Sequence, residues 1–292
     1  MKIMILGADG MIGHKLYQSL SSRDYRIIIT SKKSQNKLPY IFYNSEWLQL
    51  DILSDSIETV LNNFSPNYII NCIGITTRRM KNHKVSDVKY VNSKFPHILS
   101  NWAEKNNSKL IHFSTDCVFS GKKGSYDELS KTDADDLYGK SKAKGEILNN
   151  SSSLTIRASM IGREIYNFTE LLEWVLSNNN SQIYGYTNAI YSGVTTLWMG
   201  ELINELIQKN YNLSGIYNIS STPISKYELI CKIKDNFNLK IKIQKNSEYY
   251  SNKSLISDKF FKKTKITRPS WDSMLKNLVV NNNKNLDLYK KY

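Results

Sequence analysis

The chain has 292 residues, 40% of them hydrophobic, which is enough for one large α/β unit or two modest domains. The formal net charge is +14, but the excess lysine lies among asparagines in surface-like stretches, and no basic stripe with interleaved aromatic residues indicates nucleic-acid binding. No apolar run is long enough to span a membrane or act as a signal peptide, and three scattered cysteines without CxxC spacing argue against disulfides and a metal site, so we expect a cytoplasmic protein.

Strand and helix signals alternate along the first half of the chain. Predicted strands are 2–6 (KIMIL), 26–30 (RIIIT), 68–73 (YIINCI), 110–114 (LIHFS) and 154–161 (LTIRASMI). The first predicted helix follows the first strand and ends at about residue 21, and three more cover about 54–64, 85–106 and 137–150. This alternation predicts a parallel sheet wrapped by helices, the doubly wound Rossmann type of α/β fold.

The regular alternation ends after about residue 163. Predicted helices at 167–178, 195–209 and 224–236, with short strands at 216–220 and 240–244, indicate a smaller mixed α/β lobe. We therefore expect a Rossmann domain over residues 1–162 and a substrate-binding lobe over 163–292, with segments near 190–220 returning to the Rossmann domain.

A glycine-rich turn joins the first predicted strand to the first helix. Gly7, Gly10 and Gly13 stand in GADGMIG, where a Cβ would obstruct a bound pyrophosphate and where the helix offers unpaired N–H groups to it. The strand–turn–helix setting predicts a dinucleotide-binding site, and GxxGxxG spacing is typical of short-chain dehydrogenases of the extended type.

The end of the second predicted strand indicates which dinucleotide binds. Ser31 and Lys32, followed by Lys33, stand where an NAD-specific enzyme usually has an acidic residue, and they could hold a ribose 2′-phosphate. This favours NADPH, with NADH and an ordinary solvated lysine pair as the alternatives. Asp51, in LQLDI, is a candidate adenine contact or a loop residue without a ligand.

A tyrosine and a lysine four residues apart mark the candidate catalytic helix. Tyr138 and Lys142 in YGKSK project from one face, so the ammonium is expected to lower the pKa of the phenol and make it a proton donor. Thr115 follows the strand LIHFS, at the edge of the sheet where ligands bind, and its hydroxyl could bond a substrate carbonyl.

These residues resemble the dTDP-4-dehydrorhamnose reductase family, within the extended short-chain dehydrogenases/reductases. The motifs that carry the resemblance are GADGMIG, NCIGI (71–75), Val91-Asn92, STDCVFSG (114–121), YGKSKAKGE (138–146), IRASMIG (156–162), SGVTTL (192–197) and RPSW (268–271). The resemblance implies reduction of the C4 keto group of a 4-keto-6-deoxy-L-hexose on a nucleotide diphosphate, in surface polysaccharide precursor synthesis.

The resemblance also implies roles for individual residues. Thr115 takes the hydroxyl role, Tyr138 is the acid and Lys142 binds the nicotinamide ribose. Further cofactor contacts are expected from Met11, Ile12, Ile52, Cys72, Ile73, Gly74 and Asn92, and substrate contacts from Asp116, Val118, Phe119, Met160, Arg78 and Tyr191.

Two departures from the family pattern affect the expected substrate and the expected oligomeric assembly. Met160 stands where the family has a tryptophan near the sugar, so a UDP-linked 2-acetamido-2,6-dideoxy-4-ketohexose is as well supported as dTDP-4-dehydrorhamnose. Lys15 stands where members that dimerise through magnesium have a glutamate, so a homodimer would not be magnesium-bridged.

Other interpretations stay open for some residues and for the function. Arg78 could reach a substrate diphosphate or be simply exposed, and Tyr191 could stack on the base or pack in the core. The alternatives to a reductase are an epimerase or dehydratase of the same fold, against which Asp116-Cys117 after Thr115 argues, and a non-catalytic regulatory subunit that binds NADP.

Overall fold

The computed structural model describes residues 1–289, which form a large parallel sheet, flanking helices and several short strand pairs. The strands are β1 (Lys2–Leu6), β2 (Arg26–Ser31), β3 (Glu46–Gln49), β4 (Tyr68–Asn71), β5 (Lys109–Ser114), β6 (Ser153–Arg157), β7 (Met160–Ile161), β8 (Gln182–Tyr186), β9 (Ala189–Tyr191), β10 (Val194–Thr195), β11 (Gly215–Asn218), β12 (Ile224–Ser225), β13 (Lys242–Asn246) and β14 (Ser251–Asn252). The α-helices are α1 (Gly13–Leu20), α2 (Ile57–Phe64), α3 (Val85–Lys89), α4 (Phe95–Lys105), α5 (Leu137–Lys144), α6 (Leu171–Ser177), α7 (Thr196–Gln208), α8 (Lys226–Asn236), α9 (Asp258–Thr264) and α10 (Trp271–Lys284).

The main sheet has the order β11-β6-β5-β4-β1-β2-β3, with every neighbouring pair parallel. This confirms the predicted Rossmann-type sheet. The chain winds outward in both directions from β1, so the order reverses between β1 and β4. A crevice opens outside the carboxyl ends of strands at such a reversal, and ligands of this fold class bind there.

Both faces of the sheet are buried, and alternate residues of β1 show why the strand is continuously hydrophobic. Ile3 and Ile5 belong to one core cluster, whereas Met4 and Leu6 belong to another, and all four are fully buried. Successive side chains of a strand point to opposite faces, so a strand covered on both sides needs apolar residues at every position.

Several predicted elements differ from the observed ones. The predicted helix 85–106 is α3, a π-helical turn at Tyr90–Lys94 and α4, and the predicted strand 154–161 is split into β6 and β7. The helix after 224 begins with a capping box, because the Ser225 hydroxyl accepts from the Glu228 N–H and the Glu228 carboxylate accepts from the Ser225 N–H.

The second half of the chain adds short strands above the carboxyl edge of the sheet. β10 pairs with β7, β9 lies between β12 and β14, and β13 pairs with β8. β11 returns to the main sheet and α7 packs against α1. The domain boundary after residue 162 stays a prediction.

Candidate active site

Two cavities lie at the carboxyl edge of the sheet and share the segment Cys72–Gly74. One, of about 340 Å³, is lined by residues that follow β4 and β5 and by the start of α1. The other, of about 210 Å³, extends toward the ends of β1, β2 and β3. The shared segment joins them into one elongated groove across the point where the strand order reverses.

Most of the predicted site residues meet in this groove. Met11, Ile12, Cys72, Ile73, Gly74, Arg78, Thr115, Tyr138, Lys142 and Met160 line the larger cavity, while Gly7, Gly10, Ser31, Lys32, Asp51 and Ile52 line the smaller one. These residues come from the ends of β1 to β5, from α1, from α5 and from β7.

The glycine turn has the shape that a closely approaching ligand requires. Gly7 has φ +73°, and a Cβ there would lie 2.9 Å from Ile73 Cγ1. A Cβ on Gly13 would lie 2.3 Å from the Gly7 carbonyl oxygen, so Gly13 lets α1 pack against the turn and does not itself line either cavity. The first turn of α1 has no side-chain cap, and it begins directly after Met11 and Ile12, which line the larger cavity.

Cations lie at the far end of the smaller cavity. The Lys32 ammonium is 2.9 Å from an Asp51 carboxylate oxygen, and the Lys33 ammonium is 3.0 Å from one of Asp9 and 3.7 Å from the Tyr166 ring centre. Burial alone would raise the pKa of Asp51, but the Leu53 N–H and Lys32 hold it below its usual value. The observed partners of both lysines are therefore carboxylates, although both lysines line the cavity.

Asn92 organises the groove from behind. It is fully buried in the π-helical turn, where its side chain accepts from the Ile75 N–H at 2.9 Å and donates to the Ile75 carbonyl at 2.9 Å and to the Ser141 hydroxyl at 3.1 Å. Its amide joins the loop after β4 to α5, and the expectation that Asn92 contacts the cofactor stays a prediction. A π-helical turn at such a position is typical of functional sites.

The three candidate catalytic side chains face one another at the larger cavity. Thr115 follows β5, and its hydroxyl accepts from the Cys117 N–H at 3.1 Å and lies close enough to Tyr138 to lower the pKa of the phenol. Burial outweighs this effect and raises the pKa of Tyr138 well above its usual value. The phenol is therefore protonated throughout the neutral range.

Lys142 does not act on the tyrosine as the sequence argument expected. Its ammonium donates to the Phe113 carbonyl at 2.6 Å, and burial lowers its pKa to about 8, with Glu146 opposing the shift. The prediction that Lys142 lowers the pKa of Tyr138 is wrong here, because desolvation of the phenol dominates. The observed arrangement keeps the proton on the tyrosine.

A buried ion pair supports the strand end that carries Thr115. The Arg157 guanidinium makes two hydrogen bonds of 2.7 Å to the Glu146 carboxylate, which also accepts from the Ser114 hydroxyl at 2.7 Å. Both charged side chains are 4% exposed. Arg157 therefore serves a structural pair.

The substrate side of the cavity is formed by β7, its preceding turn and the loop after β4. Met160 lines the cavity together with Ser159, opposite the loop that carries Arg78. The Arg78 guanidinium lies 3.8 Å from the Glu170 carboxylate and donates to the Thr169 carbonyl. Arg78 is therefore half-exposed at the cavity and already held in place.

Four predicted substrate contacts lie away from the cavity lining. Val118 and Phe119 are fully buried, and Phe119 stacks on Tyr126 with ring centres 4.1 Å apart, so the prediction that their side chains bind substrate is wrong. Asp116 is 4% exposed and accepts from the Thr115 hydroxyl. Tyr191 is 5% exposed and packs against Trp271, as its core-packing alternative expects.

Other residues of the groove were not predicted from the sequence. His83 lines the smaller cavity, and Thr76, Ser159 and Glu170 line the larger one. Burial raises the pKa of Glu170 above its usual value. The segment after NCIGI and the residue before Met160 could have been found by extending the motifs on either side.

Two classes of site have no counterpart in the part of the chain that the structure describes. Residues 1–289 contain no group of three or more histidine, cysteine, aspartate or glutamate side chains arranged to hold a metal ion. Within the same residues, no helix has both the length and the apolar composition needed to cross a bilayer.

Lys15 is buried and donates to Asn281 at 2.6 Å and to Gln18 at 2.9 Å.

The reversing parallel sheet, the glycine turn and the Thr115–Tyr138–Lys142 set together define an extended short-chain dehydrogenase/reductase fold. The family model described as the RmlD substrate binding domain matches residues 1–283, and the chain belongs to that family.

Individual relatives agree with this assignment. The chain is 28% identical over 248 residues to a dTDP-4-dehydrorhamnose reductase of Aggregatibacter actinomycetemcomitans. The aligned region covers 80% of this chain and 78% of the relative. It is 25% identical over 250 residues to methionine adenosyltransferase 2 subunit beta of Danio rerio, covering 82% and 74%. The structure of a dTDP-4-dehydrorhamnose reductase from Bacillus anthracis in complex with NADP superimposes with a TM-score of 0.80 at 23% identity, covering 96% of this chain and 99% of that one.

Proposed function

We propose that this protein is an NADPH-dependent reductase of the C4 keto group of a nucleotide-diphosphate-linked 4-keto-6-deoxy-L-hexose, acting in surface polysaccharide precursor synthesis. The observation that carries the proposal is the meeting of Thr115, Tyr138 and Lys142 at one cavity that is continuous with the glycine turn. The family membership and the NADP-bound structure of a similar reductase support it.

The groove fits a dinucleotide. Gly7 leaves open the space that a Cβ would take, and the uncapped start of α1 offers N–H groups to a pyrophosphate. Ser31, Lys32 and Lys33 would hold a 2′-phosphate, in exchange for the present contacts of the lysines with Asp51 and Asp9. Bound NADPH would supply the hydride.

The protein's own residues would position and protonate the substrate. Thr115 would exchange its present hydrogen bond to Asp116 for one donated to the C4 oxygen, and Tyr138 would deliver a proton to that oxygen as it gains negative charge. The raised pKa of Tyr138 means that this donor is fully protonated at neutral pH. Lys142, held on the Phe113 carbonyl, lies where it would bind a ribose hydroxyl.

The identity of the sugar depends on the wall around Met160. A flexible thioether in place of a rigid indole leaves space for a substituent at C2, which supports a UDP-linked 2-acetamido-2,6-dideoxy-4-ketohexose alongside dTDP-4-dehydrorhamnose. The proposal further includes a cytoplasmic location, a nucleotide-sugar substrate and a homodimer that is not bridged by magnesium.

One alternative has a specific observation in its favour. The similarity to subunit beta of methionine adenosyltransferase 2 supports a regulatory subunit that binds NADP without turning over a sugar. The presence of all three candidate catalytic side chains at the cavity favours the reductase. An epimerase or dehydratase of the same fold would consume no net NADPH.

The deciding experiment measures NADPH oxidation against a panel of dTDP-linked and UDP-linked 4-ketosugars. We expect Tyr138→Phe to lower kcat by about 10²- to 10⁴-fold, the usual contribution of a general acid, while NADPH affinity stays within about twofold. Tyr217→Phe is the matched control, because Tyr217 is a buried tyrosine of β11 outside both cavities.

Three results would contradict the proposal. A Tyr138→Phe variant with the wild-type rate would refute the acid assignment. NADP binding without oxidation of NADPH by any ketosugar would favour the regulatory subunit. Interconversion of sugars without net NADPH consumption would favour an epimerase or dehydratase.

A further inference from the structure

Lys226 carries a positive charge in an unusual place beside the larger cavity. It is the first residue of α8, and its ammonium lies 3.6 Å from the centre of the Tyr191 ring. The charges of Asp116 and Arg78 act on it, and Arg78 lines the larger cavity. A cation over an aromatic face is attracted by the ring quadrupole, so Tyr191 holds the ammonium in a fixed direction.

The position is electrostatically unfavourable for a lysine that has no anionic partner. The positive end of the α8 dipole lies at this residue, and cations are disfavoured there. Among residues 1–289, no carboxylate lies within 4.0 Å of the Lys226 ammonium. Burial lowers the pKa of Lys226 to about 8, with Asp116 opposing the shift. An anion bound beside the ammonium would remove this disadvantage.

The start of α8 is already capped, so the ammonium is the group left to bind an anion. Ser225 and Glu228 form a complete capping box, in which each side chain accepts from the other residue's N–H. The free cation is thus the Lys226 side chain, which points from the helix toward Tyr191 and the cavity.

Tyr191 supplies an independent sign of a missing ligand. The residue is 5% exposed, and its buried hydroxyl has no hydrogen-bond partner of ordinary geometry in the described part of the chain, although the Ser159 side chain lies near enough to affect its pKa. Asp116, Cys117 and Glu170 also act on this phenol. Buried hydroxyls normally have a partner, so a polar ligand atom between Tyr191 and Ser159 would complete the site.

A second lysine is close enough to Asp116 to be affected by its charge, and it lies on another element of the fold. Lys253 follows β14, and the charges that raise its pKa are those of Cys117 and Asp116, with burial opposing them. β14 pairs with β9, the strand that carries Tyr191. Two ammonium groups from different segments of the second lobe therefore face the side of the cavity where Asp116 lies.

We propose that Lys226, oriented by Tyr191 and assisted by Lys253, binds the diphosphate of the nucleotide-linked substrate. This inference rests on the proposed function and adds the residues that bind the anionic nucleoside diphosphate attached to the sugar. A diphosphate has several strong acceptor oxygens, and a charge-assisted hydrogen bond to it is about twice as strong as a neutral one.

The test measures binding of UDP and dTDP to the full-length protein in the presence of NADP, with uridine and thymidine as uncharged comparisons. We expect Lys226→Met to weaken nucleoside diphosphate binding at least about tenfold, one lost charge-assisted contact, and to leave nucleoside and NADP binding unchanged. Lys226→Arg should retain most of the affinity, and Lys253→Met should weaken it less than Lys226→Met.

Lys245→Met is the matched control. Lys245 also lies over a tyrosine, with its ammonium 5.3 Å from the Tyr227 ring centre, but it is an exposed residue of β13. This variant should bind both diphosphates like the wild type. If Lys226→Met proves unstable, Lys226→Gln gives the same comparison, with retained NADP affinity as the sign of an intact groove.

The outcomes separate this inference from the function beneath it. Wild-type turnover of a ketosugar together with unchanged diphosphate affinity in Lys226→Met would overturn the role of Lys226 alone. Equal weakening of diphosphates and nucleosides would also overturn it, because loss of a charge cannot act on the uncharged ligand in that way. A wild-type protein that neither binds a nucleoside diphosphate nor reduces any ketosugar would refute both.

Discussion

Replacing Arg157 by methionine tests whether the strand end that carries Thr115 depends on the buried ion pair. The change removes two hydrogen bonds of 2.7 Å and leaves the Glu146 carboxylate, 4% exposed, with the Ser114 hydroxyl as its remaining close partner. Breaking a buried pair by removing one member typically costs about 3–5 kcal/mol, because an uncompensated charge stays behind. We expect a loss of this size in the free energy of unfolding.

A double variant separates the stranded charge from the lost packing. In Arg157→Met combined with Glu146→Gln, both members of the pair are uncharged and the amide can still accept from Ser114. We expect most of the stability to return, since a neutral replacement for a buried pair is often close to neutral in its effect.

The assay is urea unfolding, with the midpoint compared at unchanged slope. Arg26→Met is the matched control, because Arg26 makes the same two-point contact with Glu46, at 2.7 and 3.0 Å, on the protein surface. Solvent screening makes such exposed pairs weak, so this control should change the midpoint little. An Arg157→Met variant no less stable than Arg26→Met, or a double variant as unstable as the single one, would refute the reasoning.

Two further predictions concern acid stability and cofactor choice. Burial, with Lys15 nearby, lowers the pKa of His14 to about 3, so between about pH 6.5 and that value the unfolded chain binds one more proton than the folded protein. The free energy of unfolding therefore decreases by about 1.4 kcal/mol for each unit by which the pH is lowered through this window. Urea midpoints measured from pH 7 down to pH 4 should decrease less steeply in His14→Gln than in the wild type, and equal slopes would contradict the assignment. Lys32→Glu should raise the KM for NADPH at least about tenfold and leave that for NADH nearly unchanged in a steady-state assay, since only the former has the 2′-phosphate; equal effects on both would place Lys32 outside the phosphate site.

Local patterns were sufficient to predict the elements that hold the groove. KIMIL is apolar at every position because both faces of β1 are covered, and Gly7 is required by the positive φ of the turn that follows. Tyr138 and Lys142 are on α5 at the spacing that brings both to one side. These features depend on neighbours close in the chain, which is why periodicity and motif spacing detect them.

Features that depend on distant contacts were outside the reach of the sequence. Strands of two or three residues, such as β7, β10 and β12, have too few positions for a period and form only because a partner strand is present. The fate of Phe119 was missed because proximity in sequence to Thr115 suggested the cavity, whereas stacking on Tyr126 turns it into the core. The direction of the Tyr138 pKa followed from burial, which a motif does not reveal.

The hydrogen bonds of the Asn92 amide have a consequence for how the protein could come to accept a different sugar substrate. By fastening the Ile75 loop to the helix of Ser141, it makes the reactive wall a single stiff block that tolerates little rearrangement. The facing wall is assembled from brief strands such as β7 and β9, whose side chains can be exchanged without disturbing that block. Redesign for a different sugar should therefore begin with Ser159 and Met160, leaving the reducing machinery intact.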